Sequence, residues 1–188
     1  MGRSFANLHI KSNNLEKTIE ALRELSKEHG DVLGIKEAQE TSVVMYISRQ
    51  SNENWISVLN DYFVWGTVKK VGKRLSQLIE EPVMTGGYMN EEIFELSVFA
   101  AGVIQAEKIF CEQWTREEYE LAEERLNDDY LREALDIRNE DLPEFITITT
   151  PWQAVDKLSE LVQMTLWCDA EWIPHEGDLR QRFEKYEF

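Results

Sequence analysis

Ala6, Leu8 and Ile10 alternate with Asn7, His9 and Lys11, a period-2 pattern that predicts a half-buried strand. The period then changes. Asn13 or Asn14 can cap a helix whose Leu15, Ile19, Leu22 and Leu25 fall on one face, and His29-Gly30 supplies its stop. The run Thr41 to Ser48, with Val43, Val44, Met45, Tyr46 and Ile47, predicts a well-buried strand. Residues 31–40 read as its weaker partner.

The same order returns in a second copy. Trp55 to Leu59 predicts a strand, and Thr67 opens a helix with Val68, Val71, Leu75, Leu78 and Ile79 on its apolar face. Pro82 cannot continue that helix. Met84 to Tyr88, Ile93 to Phe99 and Val103 to Phe110 predict three further strands, with Gly102 in the turn between the last two. Two strand–helix–strand–strand units imply an α+β fold, ferredoxin-like or similar. In such a fold one largely antiparallel sheet carries both helices on one face.

Beyond Phe110 the pattern becomes helical. Thr115 and Glu118 form a capping box for a helix that can run to about residue 135, with Tyr119, Ala122, Leu126 and Tyr130 inward. Asn127-Asp128-Asp129 is the place for that helix to break in two. Thr150-Pro151-Trp152-Gln153 starts another helix, and Phe145 to Ile148 reads as a short strand. A short helix is expected from Asp178. Residues 1–110 therefore read as a duplicated α+β sheet domain, and residues 111–188 as a mainly helical extension packed on it.

Charge separates the same two parts. Residues 1–110 hold 12 basic and 15 acidic side chains, whereas residues 111–188 hold 8 and 21, so most of the net −16 sits on the extension. That sign disfavours nucleic acid and anionic lipid, both of which need Lys and Arg. It favours a basic protein partner, reached faster through electrostatic steering. On the helix after Thr115, Glu117, Glu120, Glu124 and Asp128 recur at three- and four-residue spacing and make an acidic stripe. The plain reading is a solvated outer face; the functional reading is a docking surface for a basic protein.

Catalytic signatures do not emerge. The chain has no Gly-x-Ser-x-Gly elbow, and Gly86-Gly87 lacks the Lys-Ser/Thr of a phosphate loop and reads as a bend or bulge. Cys111 and Cys168 sit in no nucleophile or disulfide pattern, which suits a reduced, cytoplasmic protein. No run is apolar enough for a membrane span, the first residues lack a signal-peptide core, and Ala6 stands where a myristoylation motif has Ser or Thr. Cys168, Asp169, Glu171, His175, Glu176 and Asp178 cluster in the tail without metal-site spacing, beside a Trp172-Ile173-Pro174 anchor.

One polar constellation remains, Asn7 with His9 and Glu95 with Ser97, which pairing of the two units can bring to a common groove. A solvent-facing His9 is the plainer reading. The segments Asn7-Leu8-His9-Ile10 and Asn14-Leu15-Glu16-Lys17-Thr18-Ile19 resemble the opening of a glyoxalase-type (vicinal oxygen chelate) module. That resemblance implies paired modules around a divalent metal. The second unit has no matching His at Trp55-Ile56-Ser57-Val58, so no metal or cofactor is assigned. The leading expectation is a non-enzymatic, immunity-type or regulatory protein with an acidic docking face. The alternative is a small-molecule-binding or metal-dependent enzyme.

Overall fold

The computed structural model describes residues 3–35, 42–48, 54–123 and 127–188. The chain runs through β1 (Phe5–Ile10), α1 (Leu15–Glu28), β2 (Val44–Ser48), β3 (Ile56–Leu59), α2 (Val68–Leu75), β4 (Val83–Met89), β5 (Ile93–Ala100) and β6 (Val103–Phe110). It continues through α3 (Gln113–Glu118), α4 (Asp128–Ala134), α5 (Leu142–Ile146), α6 (Pro151–Val162), α7 (Gly177–Arg182) and β7 (Phe183–Glu187). The seven strands form one open antiparallel sheet in the order β6-β5-β4-β1-β3-β2-β7. Among the described residues no helix is long and apolar enough to cross a membrane.

Local chemistry explains where the elements stop. The Asn14 side chain accepts from the Lys17 N–H at 3.1 Å and caps α1 as expected. Helix α2 ends at Leu75, earlier than its apolar spacing predicts, because the Ser76 hydroxyl turns onto the Lys73 carbonyl at 2.7 Å. The same hydroxyl accepts the Gly102 N–H at 2.9 Å and ties α2 to the β5–β6 turn. Ala101 and Gly102 both take positive φ in that turn, the geometry that Gly102 led us to expect.

Two apolar layers sandwich the sheet. Ala6, Leu8, Ile10, Ile47 and Val58 meet Leu22 and Leu25 of α1 and Val71 and Leu75 of α2, which places both helices on the same face. The opposite face carries Met84, Phe94, Leu96, Val98 and Phe110, and the chain after residue 127 covers it with Leu131, Phe145, Val155 and Leu158. The Phe110 ring centroid lies 5.7 Å from that of Phe94 and 5.0 Å from that of Phe145.

Four expectations are corrected here. The Phe145–Ile148 segment is not a strand: Pro143 fits the first turn of α5, and docking Phe145 on Phe110 overrides the β-branched residues beside it. Residues 30–33 form a 3-10 turn where the partner strand was expected, Gly34 and Ile35 are not strand either, and residues 36–40 lie outside the described residues. Gly86-Gly87 makes neither bend nor bulge but pairs regularly inside β4. A Cβ at Gly87 would stand 3.1 Å from the Trp65 ring, so glycine serves close packing there. Finally, the acidic helix after Thr115 does not persist. Helix α3 ends at Glu118, Glu120 takes φ 53°, and the chain folds back so that Glu123 accepts the Ile109 N–H at 3.1 Å.

Candidate functional site

The sheet divides the four residues expected to share a groove. Cross-strand partners in an antiparallel sheet lie on one face. Ala6 pairs with Gly87, which pairs with Glu95, and Leu8 pairs with Thr85, which pairs with Ser97. Glu95 and Ser97 therefore belong to the α2 face, whereas Asn7 and His9 point to the other. All four are buried. They form no common groove.

The Asn7–His9 pair is a sealed structural device. The irregular stretch between α6 and residue 170 crosses the sheet and brings two carbonyls that need donors. The Asn7 amide supplies them, donating to Leu166 O at 2.8 Å and Cys168 O at 3.0 Å. Its oxygen then accepts from His9 Nε2–H at 2.8 Å, which leaves His9 Nδ1 to accept from the Ser57 hydroxyl at 2.8 Å. Both ring nitrogens are occupied. Burial, with the Arg182 charge adding to it, lowers the imidazole to about 3, so His9 is neutral and is no acid catalyst. The alternation that suggested a solvent-facing His9 is real, but a strap of chain covers it.

Both cysteines are inert in this fold. Burial pushes the Cys168 thiol up to about 12, and burial also raises Cys111. Neither thiol is expected to react with a maleimide on the native protein over minutes, whereas both react once it is unfolded. Fast labelling of the native state, read by mass spectrometry, would contradict the burial.

On the α2 face, Lys69 reaches two carboxylates. It ion-pairs with Glu107 and, at 3.4 Å, with Glu95. The Glu107 side chain is only 1% exposed. These three close on one another beneath α2, and Ser97 lies in the same cross-strand row as Glu107. Among the described residues, one group of three side chains converges within metal-ligand distances: Glu24, Glu28 and His29. There the Arg74 guanidinium donates to His29 Nδ1 at 3.1 Å, so a cation already sits beside this group.

A different feature is open to solvent. A cavity of about 220 Å³ lies where the start of β1, the β3–α2 loop, the end of β4 and the segment after α6 meet. Phe5, Phe63, Trp65 and Tyr88 give it aromatic walls, and Asp61, Asp169 and Glu171 give it carboxylates. Asp169 is 8% exposed. Its oxygens accept the backbone N–H groups of Ala6 at 3.0 Å and Glu171 at 2.9 Å. Burial raises its carboxyl to about 6, with Glu171 and Asp61 pushing the same way. Trp65 Nε1 and the Tyr88 hydroxyl, both buried in its walls, have no hydrogen-bond partner among the described residues. No short motif marked this cavity, because its residues come from four separate stretches of chain. The one available signal was Asp169 and Glu171 in the tail cluster.

The acidic stripe survives only in part. Glu117 and Glu120 are exposed at and just beyond the end of α3, and Asp128 is exposed in the first turn of α4. Glu124 lies outside the described residues. They are not one helix face. What the sequence spacing missed is the company they keep: Trp114 is 60% and Tyr119 42% exposed on the same short helix and its cap. The Tyr119 hydroxyl donates to Glu92 in the β4–β5 turn at 2.9 Å. Compared with protein-family models, curated proteins and solved structures, the chain matches none of them.

Proposed function

We propose that this protein is a non-enzymatic binding module, immunity-type or regulatory, that docks a basic protein on its acidic C-terminal part. One observation carries the reading. Around α3, exposed Trp114 and Tyr119 stand among exposed Glu112, Glu117, Glu118 and Glu120. Large aromatic side chains left in water are the residue types that anchor protein interfaces, and a carboxylate surround selects a partner rich in Lys and Arg. The charge of the extension supports the same choice of partner.

Two finer readings belong with it. The sheet core is read as ferredoxin-like, because β1–α1–β2 and β3–α2–β4 interleave in the order β4-β1-β3-β2. A cytoplasmic setting is supported by two free, buried cysteines.

The test uses a partner captured from native cells and then purified. Its association rate is measured in about 0.05 M and about 0.3 M salt, conditions that change the Debye length by more than twofold. The rate is expected to fall severalfold with salt. A variant with Glu117→Gln, Glu120→Gln, Glu124→Gln and Asp128→Asn is expected to associate more slowly and to lose most of that salt dependence. Unchanged kinetics would leave these carboxylates as a solvated surface and remove the reading.

A further inference from the structure

We propose that the cavity between the β3–α2 loop and the segment after α6 receives an arginine side chain of the partner. The proposal rests on the basic-protein reading above and names the group that the partner inserts. The cavity, about 220 Å³, is below the roughly 300–1,000 Å³ typical of drug-sized ligands and suits one side chain. Its chemistry is unbalanced in one direction. Asp61, Asp169 and Glu171 line it, and none of the three makes an ion pair among the described residues.

Asp169 carries the argument beyond a cluster of surface acids. It is more than nine-tenths buried and meets two backbone N–H groups but no cation. A buried carboxylate held this way gains most from a cation that also brings hydrogen-bond donors. A metal ion is a poor match, because the oxygens of Asp61, Asp169 and Glu171 are not among the groups that converge within 4.8 Å. A guanidinium spreads five donors over a plane and reaches separated acceptors. Aromatic residues line the same space, and the half-buried Trp65 is the one among Phe63, Trp65 and Tyr88 that is not already sealed in the core. A guanidinium packs against such a surface better than a strongly hydrated ammonium.

Position favours an arginine presented by a docked protein. Met89 and Trp65, both in the cavity wall, pack against the Ile93–Ile109–Cys111 cluster. Leu121 packs against that same cluster and directly follows Glu120. Three residues beyond Met89, Glu92 holds the Tyr119 hydroxyl. The cavity wall and the segment around α3 thus rest on one shared buried cluster, which fixes them relative to each other.

The probe is a Gly-Arg-Gly tripeptide, acetylated and amidated so that arginine bears its only charge. It is titrated into the full chain while the Trp65 indole N–H resonance is followed. The expected result is saturable binding, at least about tenfold tighter than that of the same peptide with neutral citrulline. Asp61→Asn with Glu171→Gln, both at exposed positions, is expected to weaken it about tenfold, the scale of two partly exposed ion pairs. Equal binding of the citrulline peptide, or unchanged affinity in that double variant, overturns the proposal. Guanidinium chloride binding as tightly as the tripeptide also overturns it, since the site would then serve a free cation. The tripeptide needs no partner, so this failure is distinct from that of the docking reading. Conversely, the quadruple variant around α3 is expected to keep tripeptide affinity within about twofold, because its substitutions leave the lining side chains untouched.

Discussion

Lys69→Met is expected to be among the most damaging single substitutions, lowering unfolding free energy by about 3–5 kcal/mol. The ammonium lies against Glu107, whose side chain is 1% exposed, and within 3.4 Å of Glu95, whose side chain is 10% exposed. Methionine keeps the stem and its packing against the sheet but strips the positive charge from two largely desolvated carboxylates. Urea denaturation followed by tryptophan fluorescence measures the loss. Adding Glu107→Gln to Lys69→Met is expected to recover part of it, since the deeper charge is then gone as well. A loss below about 1 kcal/mol, the value of a surface ion pair, would show that solvent screens the cluster.

Acid is expected to unfold the protein through His9. The folded state holds this imidazole neutral down to about 3, whereas the unfolded chain takes the proton near the ordinary value of 6.5. Its contribution is therefore complete above pH 6.5 and drains away as pH falls toward 3, by about 2 kcal/mol near pH 5. Asp169 acts in the opposite sense. Burial raises its carboxyl from 3.8 to about 6, so the folded state accepts a proton that the unfolded chain refuses until lower pH. Protonation relieves its repulsion with Glu171 and Asp61, and returns about 1 kcal/mol of stability near pH 5. Wild-type stability should consequently fall by only about 1 kcal/mol between pH 7 and 5, half of what His9 alone would cost. Asp169→Asn removes the compensation, and its stability should fall more steeply over the same range. Parallel pH profiles for the two proteins would contradict the Asp169 assignment, and a flat profile in the variant would contradict that of His9.

Local pattern was a sound guide wherever one element sets its own boundary. The alternation in Phe5–Ile10, the Asn14 cap, the Thr150-Pro151 start of α6 and the Ala101-Gly102 turn each depend on interactions within a few residues. Such signals were enough for an α+β chain with two helices on one face of an antiparallel sheet. They failed where a distant segment supplies the partner. β7 carries Glu184, Lys185 and Glu187 and has little strand character, yet β2 offers it a free row of backbone groups. Helix α5 exists because Phe145 docks on Phe110, thirty-five positions earlier in the chain.

The candidate site divides along the same line. Sequence alone determined the charge of the extension, the residue types available and the lack of a recognisable catalytic motif. The tertiary structure decided that Asn7 and His9 serve the strap at Leu166 and Cys168, and that Glu95 faces Lys69 instead. It also decided that Asp61, Asp169 and Glu171 share a cavity with rings from β1, β4 and the β3–α2 loop. The physical reason is range. Strand parity and helix capping act over a few residues, whereas burial and opposite charge act between segments that only folding brings together.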